Sequence, residues 1–130
     1  MKQTLWAMVL GAGLFALAHA GLGSTAQADG TCGAKGQPSC PLQGWMEQNM
    51  DAASQKGDTK GLAALFEKVA KWSPDPKWDT ENPGWSGISK AGADAAKAGD
   101  LAGAKAQCKS CHKAFREKYK TAFRMKPVPK

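Results

Sequence analysis

Apolar residues along this chain recur at helical spacing, and no segment sustains the alternation of a strand. Leu42, Met46, Met50 and Ala53 fall at i, i+4, i+8 and i+11, which is one face of a helix. Pro41 suits its first turn, where a missing N–H costs nothing. Lys56-Gly57-Asp58 ends that helix and starts another, with Gly in the position after the helix and Asp as the next N-cap. Leu62, Leu65, Phe66 and Val69 form the apolar face of the second helix, which stops at Ser73-Pro74. Residues 73–83 contain three prolines and cannot be a helix interior. A third helix is predicted over 84–98, with Trp85, Ile88, Ala91, Ala95 and Ala98 along one side. A fourth runs from Leu101 to about Arg124 and aligns Cys108, His112, Phe115, Tyr119 and Ala122.

The Gly-Asp pair occurs at 57–58 and again at 99–100, each time between two helical patterns. Turns that short join antiparallel neighbours. The chain therefore reads as two helical hairpins linked by a Pro-rich crossover: an all-α fold, an antiparallel four-helix bundle over residues 41–130. Its third and fourth helices are rich in Ala and Gly, so the core is thin. A domain of that size ordinarily needs a staple or a cofactor.

The first 28 residues stand apart. Lys2 is the only charge before Asp29, an apolar Gly-interrupted run follows it, and Ala26-Gln27-Ala28 closes the segment. These are the three parts of a secretory signal peptide. The run is short for a membrane span and lacks a stop-transfer flank. Cleavage is expected after Ala28, with Ala18-His19-Ala20 as a second possible site, and places the mature chain in the periplasm. Of 130 residues 102 then remain, and His112 is the one histidine left.

Export changes the reading of the four cysteines, because disulfides persist outside the cytoplasm. Cys32 and Cys40 are eight positions apart in the Gly- and Pro-containing loop 29–40. That spacing permits a local disulfide that pins the start of the first helix, worth on the order of 2–3 kcal/mol in the loop-entropy account.

The other two belong to Cys108-Lys109-Ser110-Cys111-His112, the C-x-x-C-H attachment signature of c-type haem. Two thiols three residues apart on a helix reach the two vinyl groups of one porphyrin, and the adjacent imidazole meets the iron. A thioredoxin-like pair would normally follow a strand, and none precedes it. A zinc site would need further ligands, and the only other thiols are in the distant N-terminal loop. The motif therefore implies one covalent haem c, bonded to Cys108 and Cys111, with His112 as proximal ligand. A large apolar plate would also fill the thin core.

In small cytochromes with an early C-x-x-C-H, an axial Met follows many residues later. Here only 18 residues follow His112, and the one later Met, Met125, cannot easily reach the opposite face. A terminal-helix motif closing a four-helix chain resembles the class II cytochromes c, the cytochrome c′ family, most sharply over CKSCHKAFREKY, residues 108–119. That family divides by its sixth ligand. The resemblance implies either an open distal face that binds small gases or a Met from the first helix and electron transfer. Met46 matches the position of that Met in the low-spin members, and Met50 one turn later is the fallback. Core packing is the plain alternative for both. The N-terminal cysteine loop is not a general feature of this family.

The formal charge is +7, and it is unevenly placed. Residues 105–130 carry nine Lys/Arg and one acid, whereas 29–104 carry eight Lys and ten acids. Lys109, Lys113, Arg116, Lys120 and Arg124 lie on the outward side of the last helix. They are either a solvated face or a surface that steers an acidic redox partner. Export and the lack of a recognised motif argue against nucleic acid. Trp78 in the crossover is placed to fold over the haem or cap the bundle. The expected function is a periplasmic monohaem electron carrier with His112 and Met46 on the iron, as a monomer or homodimer without stable membrane insertion. The alternatives are a five-coordinate nitric oxide or carbon monoxide binder, or the haem subunit of a larger oxidoreductase. No residue set points to catalysis by the chain alone.

Overall fold

The computed structural model describes residues 32–130. The expected signal peptide, residues 1–28, lies outside the described residues. Those described are helical with no strand. The first rod is built from α1 (Pro41–Met46), a π-helical segment (Glu47–Asp51) and α2 (Ala52–Lys56). The junction residues Met46, Glu47, Asp51 and Ala52 all keep right-handed helical dihedrals, so the three pieces run on as one helix. Then come α3 (Thr59–Val69), a 3₁₀ turn (Pro76–Asp79), α4 (Trp85–Lys97) and α5 (Leu101–Ala122). The last helix stops two residues before the sequence expectation, within the ordinary fraying of a helix end.

The two Gly-Asp turns are built alike. Gly57 and Gly99 take φ of 68° and 76°, the left-handed region that favours Gly. Asp58 and Asp100 then cap the following helices, accepting hydrogen bonds from Gly61 N and Gly103 N at 2.8 Å. Each cap satisfies a backbone donor that the helix itself leaves free.

Helix α4 is the central slab, packed closely on α3 at one side and on α5 at the other. Its buried face is Trp85, Ile88, Ser89, Gly92, Ala93 and Ala96. This corrects the sequence expectation, which placed Ala91, Ala95 and Ala98 inward with Trp85 and Ile88. Ala91 and Ala98 are exposed. The physical reason is Gly92: a Cβ there would come within 2.5 Å of the Phe66 ring, so the helices meet at a residue that carries no apolar side chain. Ser89 is buried on the same face, its hydroxyl donating to Trp85 O at 2.9 Å.

The core divides into two clusters. One joins Met50, Ala53, Leu62, Phe66, Ala93, Ala96 and Ala104. The other joins Val69, Trp78, Trp85, Ile88 and Phe115. Trp78 stacks on Phe115 with centroids 5.1 Å apart and meets Phe123 edge-on at 5.3 Å. Trp78 therefore caps the second cluster. The first rod makes no comparably close approach to α5.

Gly92→Val should destabilise the fold by about 1–3 kcal/mol, the ordinary cost of overpacking. A lower urea midpoint with an unchanged slope would show it; an unaltered midpoint would contradict the close α3–α4 contact.

Candidate functional site

The space between the first rod and α5 is a cavity of about 670 Å³. From α5 it is lined by Cys108, Cys111, His112, Phe115 and Tyr119, and from the first rod by Leu42, Met46 and Met50. Trp85 and Phe66 close its floor, and the Cys32–Cys40 loop closes one end. Its volume falls in the ordinary range for sites that hold a ligand or cofactor. All three residues of the motif and both candidate methionines thus reach one space, from facing helices.

The helical repeat explains the α5 wall. Residues 108, 111, 112, 115 and 119 share a face at spacings of three and four. Phe115 is 1% exposed and sits at the base, joining the cavity wall to the aromatic cluster below. Ala104, fully buried one turn before Cys108, lets α5 lie close to its neighbour there.

The π segment shapes the opposite wall. Such segments are rare and gather at functional positions, because the extra residue per turn re-aims the side chains that follow. Met46 immediately precedes this one and Met50 lies within it. Asn49 Nδ2 donates to Trp45 O at 2.8 Å, occupying a carbonyl beside the irregular turn. The two methionines differ in setting. Met50 is 6% exposed and belongs to the core cluster with Leu62 and Phe66. Met46 is half-buried and touches both clusters.

Cys108 and Cys111 are both free thiols. Burial raises the Cys108 pKa, with Asp51 adding to the effect. Burial pushes Cys111 up to about 12, and Cys108 beside it contributes. Redox-active pairs show the opposite shift, a lowered pKa that exposes a thiolate at neutral pH. The thioredoxin-like reading of this pair is thereby disfavoured. The zinc reading fares no better. Cys32 and Cys40 stand at disulfide distance, with sulfurs 2.05 Å apart. Among the described residues no group of three His, Cys, Asp or Glu could hold a metal ion. Iron in a porphyrin needs no such group, since the macrocycle supplies four ligands.

His112 sits at the cavity mouth. Burial of its ring lowers its pKa, Arg116 lowers it further, and Asp51 opposes both. The neutral imidazole favoured by this environment is the form that ligates metals. Arg116 Nη2 lies 2.8 Å from His112 Nδ1. Guanidinium can only donate, so Nδ1 accepts and Nε2 carries the proton in this arrangement. Ligation through Nε2 would move that proton to Nδ1 and end the Arg116 hydrogen bond. Arg116, Lys120 and Arg124 also line the cavity, in a row four residues apart. Together they are positioned for the carboxylates of a porphyrin or another anion.

Sequence reasoning missed three features. The π segment has no pattern of its own in the sequence. The turn of α4 followed Gly92 rather than the alanines. Cys32 Sγ lies 3.1 Å from Met125 Sδ, tying the N-terminal loop to the segment after α5. Cys32 has no thiol proton when disulfide-bonded, so this is a sulfur–sulfur contact and not a hydrogen bond. Met125, set aside as an axial ligand, is used there. No protein family matches the chain, and no curated protein or solved structure matches it. No described helix is long and apolar enough to cross a membrane.

In haem-free protein, iodoacetamide should label Cys111 negligibly at pH 8, because its thiolate becomes abundant only near pH 12. Mass spectrometry across a pH series would check this. Rapid labelling at pH 8 would mean that the thiol is not shielded as the structure has it.

Proposed function

We propose that this chain is an exported, periplasmic monohaem c-type cytochrome that carries single electrons. In this reading the four helical rods are the antiparallel bundle of a class II-like cytochrome. Cys108 and Cys111 hold one haem c through thioether bonds. His112 supplies the proximal axial ligand and Met46 the distal one, with Met50 as the fallback. The observation that carries the reading is the gap between the first rod and α5. It brings the whole C-x-x-C-H motif and two thioether side chains into a single cavity from opposite walls.

A haem bound there would supply a one-electron ferric/ferrous couple, and His/Met ligation sets its potential above that of anionic ligand sets. The chain's own residues do the rest. Trp85, Phe66 and Phe115 present an apolar floor that excludes water from beneath the site. Arg116, Lys120 and Arg124 offer cations at the rim for the porphyrin carboxylates. The disulfide loop closes the end of the cavity and anchors the start of the rod that carries Met46. Met46 is favoured over Met50 because its half-buried side chain is less committed to the core.

The expected spectrum is low-spin, with the far-red ferric band of methionine–iron ligation. Met46→Ala should convert it to high spin, while Met50→Ala should leave the band in place and lower stability by about 2–5 kcal/mol. Loss of the band in Met50→Ala alone would reassign the ligand. A high-spin wild-type spectrum that responds readily to nitric oxide or carbon monoxide would favour a five-coordinate gas-binding protein instead.

A further inference from the structure

Five cations of α5 fall on one stripe. At 3.6 residues per turn, Lys105, Lys109, Lys113, Arg116 and Lys120 lie within an arc of about 80° and span about 22 Å of helix. They form two runs of like charge four residues apart, 105/109/113 and 116/120, with Arg124 just past the helix end. Like charges at that spacing destabilise a helix, and a merely solvated face would alternate its signs. The helix-dipole account also fails for the first run, because Lys105 lies in the N-terminal half of α5, where cations are not favoured.

The two runs differ in setting. Arg116, Lys120 and Arg124 line the cavity, whereas Lys105, Lys109 and Lys113 do not. All three of the latter are exposed. The ion pairs made from α5 among the described residues are Lys118–Glu81 and Lys120–Glu117, so the first run has no acidic partner there. It is interleaved with the C-x-x-C-H motif along the helix: Lys109 lies between the two cysteines and Lys113 follows the histidine, each about a quarter turn round from the motif residue before it. The residues bordering this run on the outer side are Ala106, Ser110 and Glu117. None is a bulky apolar group of the kind that buries an interfacial helix in a membrane.

We propose that Lys105, Lys109 and Lys113 form the docking surface for an acidic redox protein. The inference rests on the haem reading above. One electron crosses the contact: the protein that gives it is oxidised by one, the one that takes it is reduced by one, and no bond or proton moves. Opposite charge would raise the encounter rate and bring the partner against the helix that would carry the haem, which would shorten the electron's path.

The test uses the haem-loaded full chain and two small reagents of opposite charge, ferricyanide and hexaammineruthenium. Stopped-flow rates are read against ionic strength. The wild-type rate with ferricyanide should fall about tenfold from low to high salt, while that with the ruthenium cation should rise. Lys105→Glu/Lys113→Glu, which leaves the motif intact, should lose most of the ferricyanide advantage at low salt. Lys56→Glu/Lys60→Glu, on the first hairpin, should keep it. Poly-L-glutamate, standing in for an acidic protein surface, should perturb NMR signals of residues 105–113 in a salt-dependent way. Lys109→Gln should weaken that binding without altering the visible spectrum. Equal salt responses with both reagents, or binding to anionic phospholipid vesicles but not to poly-L-glutamate, would overturn the proposal and leave the cytochrome reading standing. A protein with no reducible haem band would instead overturn the reading, and the docking proposal with it.

Discussion

The separation of the first rod from α5 is the constraint on which the rest of the structure turns. The other neighbouring pairs are in direct contact: the first rod meets α3 in the cluster of Met50, Ala53, Leu62 and Phe66, α3 meets α4 through Phe66 against Gly92, and α4 packs closely on α5. The fourth side is open by about 670 Å³. At about 24 cal/mol per Å³, a dry void of that size would cost about 16 kcal/mol, more than the whole stability of an ordinary small domain. Water can enter an open cavity and remove that penalty. Water entering it meets the half-buried Leu42, Met46, Cys108 and Cys111 on its walls, while Phe66, Trp85 and Phe115 stay buried at its floor. A flat apolar group of matching size resolves both difficulties at once, and the thiols that would hold it are already on the wall.

This constraint also orders the aromatic residues. Phe115 serves two sides: it lines the cavity above and stacks on Trp78 below. Trp85 does the same while donating its indole N–H to Val69 O at 2.7 Å. The second cluster is thus a foundation that fixes α5 from beneath, independently of anything in the gap. Its rigidity sets the orientation of Cys108, Cys111 and His112, because they ride on the same helix as Phe115. Across the gap the support is of another kind: Trp45 meets Trp72 edge-on at 4.7 Å, and Met46 packs against both clusters. Met46 is placed by a helix with an irregular turn, braced at one end by the Cys32–Cys40 loop and by its contact with Met125.

What the sequence made legible follows this division. The hairpin turns were readable because Gly57, Asp58, Gly99 and Asp100 act locally: the glycines need only φ > 0, and the aspartates bond three residues on. The motif face of α5 was readable because C-x-x-C-H and Phe115 fix a helical phase by their own spacing. The phase of α4 was not, since alanines on several faces give an ambiguous period and the contact that decided it came from Phe66 on another helix. The π segment was hidden for a related reason. Its residues, Glu47–Asp51, include no Gly or Pro to mark an irregular turn. An inserted residue is tolerated only where tertiary space allows it, and that space is the cavity. The Cys32–Met125 contact joins residues 93 positions apart, beyond any local rule.

That last separation bears on how the site is assembled. The contacts within each hairpin are short-range and carry little loop-closure entropy. The α3–α4 contact spans only the crossover. Closing the first rod against α5 joins the two ends of the domain and carries the largest entropic cost, yet it is the one interface with little direct packing to offset it. A group bonded to α5 and ligated from the first rod would bridge that interface and contribute the missing attraction. Binding then acts as folding free energy for this side of the molecule, while α3, α4 and α5 hold together through their own cores. In the proposed cytochrome the same feature would serve electron transfer: a site closed by the group it holds would need no large rearrangement when the iron changed charge, because both walls would be tied to the same plate.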